Sequence, residues 1–153
     1  RDWQISPDRR SVAYLAPQTR AERVVYRAHV VSIATGSALP LPKADANGEQ
    51  YGPTWTPGGA TLAVGQEPTA AISAPIVLLR PGATPIALPV PARGFDVPVA
   101  WAEGGAYLAA RTFDGPNSAA PGRESAVVIS MDGKRYPLSA PGEVILVGWL
   151  PNA

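Results

Sequence analysis

Two segments of the chain spell nearly the same thing. Trp55-Thr-Pro-Gly-Gly-Ala-Thr-Leu-Ala-Val64 and Trp101-Ala-Glu-Gly-Gly-Ala-Tyr-Leu-Ala-Ala110 align without a gap. An earlier copy is Ile5-Ser-Pro-Asp-Arg-Arg-Ser-Val-Ala-Tyr14, and a fourth starts at Trp149-Leu-Pro-Asn-Ala153. The anchor residues Ile5, Trp55, Trp101 and Trp149 are separated by 50, 46 and 48 residues. A period of this length limits the fold strongly. Each copy is one supersecondary unit, and such a unit buries its faces only by packing on its neighbours.

The first three copies each carry a second landmark about 30 residues on, the spacing expected of a repeat of this length. These are Val30-Val-Ser-Ile-Ala-Thr-Gly36, Ile76-Val-Leu-Leu-Arg-Pro-Gly82 and Val127-Val-Ile-Ser-Met-Asp-Gly133. The pairs Leu39/Leu41, Ile86/Leu88 and Tyr136/Leu138 follow them. Each landmark reads as strand, Gly turn, short strand. One unit is therefore a strand ending at the anchor, a Pro/Gly turn, a second strand with Leu-Ala-Val or its equivalent, a variable loop, and two more strands. The 18 Pro and 15 Gly punctuate Val/Ile/Leu-rich runs, as in a protein of many short strands. Four short antiparallel strands are too small a sheet to be stable alone. The expected fold is all-β, a β-propeller segment of three four-stranded antiparallel blades plus the first strand of a fourth. Approximate limits are 1–42, 49–91, 95–140 and 143–153.

The pattern Trp-Ser-Pro-Asp-Gly-x-x-Leu-Ala, followed by a strand, a Gly turn and a short strand, resembles the WD40-like (PD40) repeats of TolB-type β-propellers. The resemblance spans the chain, although no copy is complete. Ile5 stands for Trp and Arg9 for Gly in the first, Gly58 stands for Asp in the second, and the third loses Pro, with Ala102-Glu103 before Gly104-Gly105. It implies four to eight blades around a channel. Three do not close a ring, and an open blade exposes apolar surface and strand edges. The remaining blades of a longer chain would complete it, or a homodimer would close a six-bladed ring. The resemblance also implies a periplasmic, cell-surface or secreted setting and an interaction role. The chain opens on Arg1-Asp2-Trp3 without a start Met or leader and reads as processed or partial.

Composition excludes several classes. A net charge of +1 gives no basic footprint for nucleic acid. No run of 18 apolar residues exists to span a membrane as a helix. With no Cys, disulfides and thiolate metal sites are ruled out. No Gly-x-Ser-x-Gly elbow occurs, and the lone His29 lies in a strand-like run without a catalytic partner nearby. No cofactor motif appears, since Gly58-Gly59 and Gly104-Gly105 fit hairpin turns and not a phosphate loop. The chain reads as non-enzymatic.

In a propeller the inter-blade loops and the loops joining second to third strands share one face. These are Lys43–Gln50, Ala92–Asp96 and Ala140–Glu143 together with Gln18–Glu22, Gln66–Ala74 and Thr112–Glu124. They gather Glu22, Asp45, Glu49, Glu67, Asp96, Asp114, Glu124 and Glu143, an acidic set suited to a basic partner or a cation. Asp45, Asn47 and Glu49 around Gly48 partly match a calcium loop; the other ligands are absent, and Asn-Gly is also turn chemistry. Thr112–Glu124 is the longest insertion, and its Phe113, Asp114, Asn117, Arg123 and Glu124 are the candidate partner contacts. Tyr51, Phe95 and Phe113 are the aromatics placed to hold a sugar at the channel mouth. The leading reading is a non-catalytic scaffold for a protein partner. The alternatives are a propeller domain of a larger enzyme, such as a prolyl-oligopeptidase-type peptidase, and a small-ligand or carbohydrate binder.

Overall fold

The computed structural model describes residues 1–20, 22–42, 48–69, 71–138 and Trp149. The described residues are all-β, without a helix. The strands are β1 (Gln4–Ile5), β2 (Ser11–Arg20), β3 (Arg23–Ser32), β4 (Ala38–Leu39), β5 (Gln50–Trp55), β6 (Leu62–Gln66), β7 (Ser73–Ala74), β8 (Val77–Leu79), β9 (Ile86–Ala87), β10 (Gly94–Trp101), β11 (Tyr107–Phe113), β12 (Glu124–Ser130) and β13 (Arg135–Pro137). They form three sheets, ordered β1-β2-β3-β4, β5-β6-β8-β9 and β13-β12-β11-β10-β7. Each repeat thus folds as an antiparallel four-stranded meander with the anchor residue ending its first strand, and the third sheet carries β7 as an added edge strand.

The turn after the anchor is built alike in all three copies. The amides of Ser6, Thr56 and Ala102 donate to the carbonyls of Ser11, Thr61 and Tyr107, and those of Arg9, Gly59 and Gly105 donate three residues back. That turn requires a positive φ, which is +58° at Arg9, +70° at Gly59 and +69° at Gly105. Glycine adopts it without steric cost and arginine does not. Successive turns also touch. A Cβ on Gly59 would lie 3.2 Å from Asp8 Cγ, and one on Gly105 would lie 3.6 Å from the Pro57 ring.

Alternation along the strands sends each repeat's side chains to two neighbours. Trp55, Leu62, Val64, Val77 and Leu79 pack back on Ala13 and Val30 of the first sheet, with Ala28, Leu39 and Leu41 at the margin. Ala63, Ile76, Leu78 and Leu88 face forward, onto Trp101, Leu108, Ala110, Val127 and Ile129 of the third. The repeated Leu-Ala-Val thus supplies large groups to one junction and a small Ala to the other, which lets the sheets approach closely. Gly65 marks the closest approach, since a Cβ there would fall 2.1 Å from the Asp96 carbonyl oxygen.

The anchor tryptophans reach the preceding repeat. Trp55 Nε1 donates to the Gln4 carbonyl at 3.2 Å, and Trp149 Nε1 to the Ala100 carbonyl at 2.9 Å. Both acceptors stand one residue before the previous anchor. Trp101 Nε1 is buried without a hydrogen-bond partner among the described residues. Its equivalent acceptor is the Thr54 carbonyl, in a strand whose register shifts between Tyr51 and Thr54.

Two features depart from expectation. The β2–β3 ladder runs on to the Arg20–Arg23 pair, so most of the expected Gln18–Glu22 loop is strand. The β-branched and aromatic run Val24-Val25-Tyr26 opposite Thr19-Gln18-Pro17 suits an extended ladder. In addition, β7 leaves the second repeat and pairs in parallel with β10, stitching the second sheet's loop to the third sheet's edge.

Outward faces of the first sheet remain open. Ile5 is 52% exposed and Trp3 69% exposed, so Trp3 is not a junction residue as Trp55 and Trp101 are. Val12, Tyr14 and Val31 beside Ile5 are half-buried, at the positions that Leu62, Val64 and Leu79 occupy in the next repeat.

Candidate functional site

The loops that leave β2, β6 and β11 meet on one face of the molecule, joined there by the segment entering β10. Two adjoining clefts lie among them. One, of about 510 Å³, is lined by Arg20, Arg23, Glu67, Pro68, Thr69, Pro116 and Asn117. The other, of about 490 Å³, is lined by Pro68, Ala71, Ile72, Arg93, Gly115 and Pro116. Pro68 and Pro116 belong to both, so the two clefts form one groove.

Among the described acidic residues of this face Glu49, Glu67 and Asp96 are buried, contrary to the expected acidic surface. Glu67 is 5% exposed, accepts Arg23 Nη2 at 2.9 and 3.2 Å, and accepts the Glu49 amide at 2.8 Å. Glu49 is equally buried between Arg1 Nη2 at 2.9 Å and the Ser118 hydroxyl at 2.6 Å. Arg1 also stacks on Tyr26, 3.8 Å from the ring centre. Asp96 is 0% exposed and takes both arms of Arg135, at 2.7 and 3.0 Å, plus the Thr112 hydroxyl at 2.6 Å. Arg135 further donates to the Pro89 carbonyl of the second repeat at 2.8 Å. Buried carboxylates persist only when paired in this way. The Arg23–Glu67 and Arg1–Glu49 pairs tie the first repeat to the second, while Asp96 holds Arg135 within the third sheet, from which the guanidinium reaches the Pro89 carbonyl of the second. Glu22 is exposed at the tip of the β2–β3 hairpin.

Ordering of the long loop is internal as well. Asp114 accepts the Arg123 amide at 2.7 Å and its Nε at 3.0 Å, bonds that hold the Asp114 carboxyl below the usual carboxylate range. Glu124 receives Arg111 Nε and Nη2 at 2.5 and 2.9 Å, and this hydrogen-bonded pair keeps its pKa low against the opposing effect of burial. Asn117 Oδ1 accepts the amides of Ala119 and Ala120, both at 3.0 Å. Four of the expected contact residues thus shape the loop, and among them only Asn117 lines the groove. Phe113 is half-buried, stacked on Phe95 at 5.3 Å, and the Arg111 guanidinium lies over its ring at 5.0 Å.

The expected sugar platform is not present as an exposed surface. Tyr51 and Phe95 are buried and stacked on each other at 4.7 Å, continuing the Phe95–Phe113 stack into the junction between sheets. Burial first, and then the charges of Glu49 and Glu67, push the Tyr51 hydroxyl far above its ordinary pKa. Ser118 opposes that shift slightly, but its hydroxyl is committed to Glu49, and the Tyr51 oxygen makes no well-formed hydrogen bond among the described residues. Of the partial calcium loop, Asp45 and Asn47 lie outside the described residues, as do the Ala140–Glu143 loop and its Glu143. Glu49 is committed to Arg1 and Ser118. His29 stacks on Tyr14 at 5.6 Å and shares a 3.0 Å hydrogen bond with Gln18, as a strand residue.

Arg20, Ile72 and Arg93 were not legible as site residues. Each stands in a loop or at a strand end far from the others in sequence, and only the folding of three repeats brings them to one groove. The sequence matches no family model and no curated protein. Among the described residues no helix is long and apolar enough to cross a membrane.

Proposed function

We propose that the chain forms consecutive blades of a β-propeller that serves as a non-catalytic scaffold, holding its loop face to a protein partner. The propeller reading draws support from three meanders of identical strand order, the shared turn after each anchor, and the Trp-to-carbonyl bond that recurs between repeats. The open face of the first sheet, at Ile5, Val12, Tyr14 and Val31, then takes a further blade, from a longer chain or from a second copy. The resemblance to TolB-type repeats supports a setting in the bacterial envelope or outside the cell.

One observation carries the scaffold reading. Loops from all three repeats converge on a single groove, while Glu67 and Glu49 beneath it are tied in inter-sheet pairs to Arg23 and Arg1. Rigid repeats with contact loops on one face suit recognition. The test is affinity capture from the source cell with the full chain and with a variant whose residues 115–122 are replaced by a short Gly-Ser turn. The reading expects a partner held by the full chain and lost by the shortened one. Equal retention by both would argue against it, as would turnover in a hydrolase substrate panel.

A further inference from the structure

The groove's lining is rich in donors, while its carboxylate, Glu67, is committed to Arg23 and the Glu49 amide. Arg20 and Arg23 stand at one end and Arg93 at the other, all three exposed. Arg23 is paired with Glu67, and Arg20 makes a 3.3 Å bond to the neutral Gln18 side chain. Arg93 lies close enough to Asp114 to help keep that carboxyl low, but Asp114 is hydrogen-bonded to Arg123. Asn117 commits its side-chain oxygen to Ala119 and Ala120, which leaves its amide NH2 as a further donor at the wall. Between the ends the lining is apolar: Pro68, Pro116, Ala71 and Ile72, the last 74% exposed. The prolines have no amide hydrogen, so a ligand along this wall is held by its side chains and not by strand pairing.

We infer that this groove holds an extended acidic segment of the partner protein, seating one apolar side chain against Pro68, Pro116 and Ile72 with carboxylates reaching Arg20 and Arg93. The inference rests on the scaffold reading and names the chemistry of the partner. Complementary charge at the two ends fixes register and speeds encounter, and the apolar centre supplies the desolvated contact. Guanidinium groups suit the task because they meet carboxylates in a planar, two-bonded geometry.

The probe is a fluorescein-labelled peptide of Asp and Glu residues flanking a central Leu, titrated into the full chain by anisotropy. A matched peptide with Asn and Gln in place of the acids is the control. The acidic peptide should bind at least about tenfold more tightly than the neutral one, and Arg20→Gln with Arg93→Gln should remove that advantage. Ile72→Glu should abolish binding, whereas Arg80→Gln, exposed in the β8–β9 turn and outside the groove lining, should leave it unchanged. Unaltered thermal melts of the variants, whose changed side chains are exposed, exclude a folding defect. Equal affinity for the neutral peptide would overturn the inference, as would indifference to the double Arg substitution or full displacement by millimolar inorganic phosphate. If a captured partner depends on residues 115–122 but not on Arg20 and Arg93, the groove assignment fails and the scaffold reading stands. Acidic-peptide binding without any protein partner would sink the scaffold reading and leave the groove chemistry intact.

Discussion

The turn after the anchor offers a test in which one perturbation, applied to three copies, should act in opposite directions. Arg9, Gly59 and Gly105 hold φ of +58°, +70° and +69° in the same hydrogen-bonded turn. A side-chain-bearing residue in this region costs about 1–2 kcal/mol relative to glycine. Glycine returns part of that through the greater freedom of its unfolded chain, about 0.5–1 kcal/mol. Arg9→Gly should therefore stabilise the protein by up to about 1 kcal/mol, or roughly 2–4 °C in Tm for a chain of this size. Gly105→Ala should destabilise it by a similar amount, because a Cβ there meets only the Pro57 ring at an ordinary 3.6 Å. Gly59→Ala should cost more, since its Cβ crowds Asp8 Cγ at 3.2 Å. Urea melts analysed at constant m-value, with calorimetry, read all three. A loss of stability in Arg9→Gly, or no loss in Gly105→Ala, would refute the claim that these positions share one strained turn.

Further outcomes follow from the buried polar groups. Arg135→Met should destabilise the fold by about 3–5 kcal/mol, because it strands the fully buried Asp96 carboxylate, and adding Asp96→Asn should recover much of that in a double-mutant cycle. Tyr51→Phe should leave stability unchanged or raise it by about 1 kcal/mol in denaturant melts, since the buried hydroxyl lacks a well-formed hydrogen bond. The carboxyls of Asp114 and Glu124 have folded-state pKa values below their unfolded ones, so their contribution is complete above the unfolded carboxylate pKa and is lost as pH falls through the folded values. Hydrogen exchange in residues 112–124 should therefore stay slow from neutral pH down to the carboxylate range and quicken only in more acid solution.

The repeat made the architecture legible. Trp55, Leu62-Ala63-Val64 and Gly59 each recur with a packing role that a strand's period of two dictates, and the structure places them at equivalent points of successive sheets. What does not recur was hidden. β7 is two residues of a loop whose parallel pairing depends on where the third repeat lies. The burial of Tyr51 and Phe95 could not be inferred from their loop-side positions, because the two stack on each other from different repeats. The acidic loop residues looked like a charged surface, since sequence shows Glu49, Glu67 and Asp96 without Arg1, Arg23 and Arg135 beside them. Ion pairs between residues 39 to 48 positions apart are set by the fold alone.

The central claim is that this chain is part of a closed ring of blades, with the open face around Ile5 covered by another blade. Native mass spectrometry on the protein from its source, repeated under denaturing conditions, tests it most directly. The account predicts either a native mass twice that of the 15.9 kDa chain or a larger covalent polypeptide carrying further repeats. A stable 15.9 kDa monomer under both conditions would contradict it.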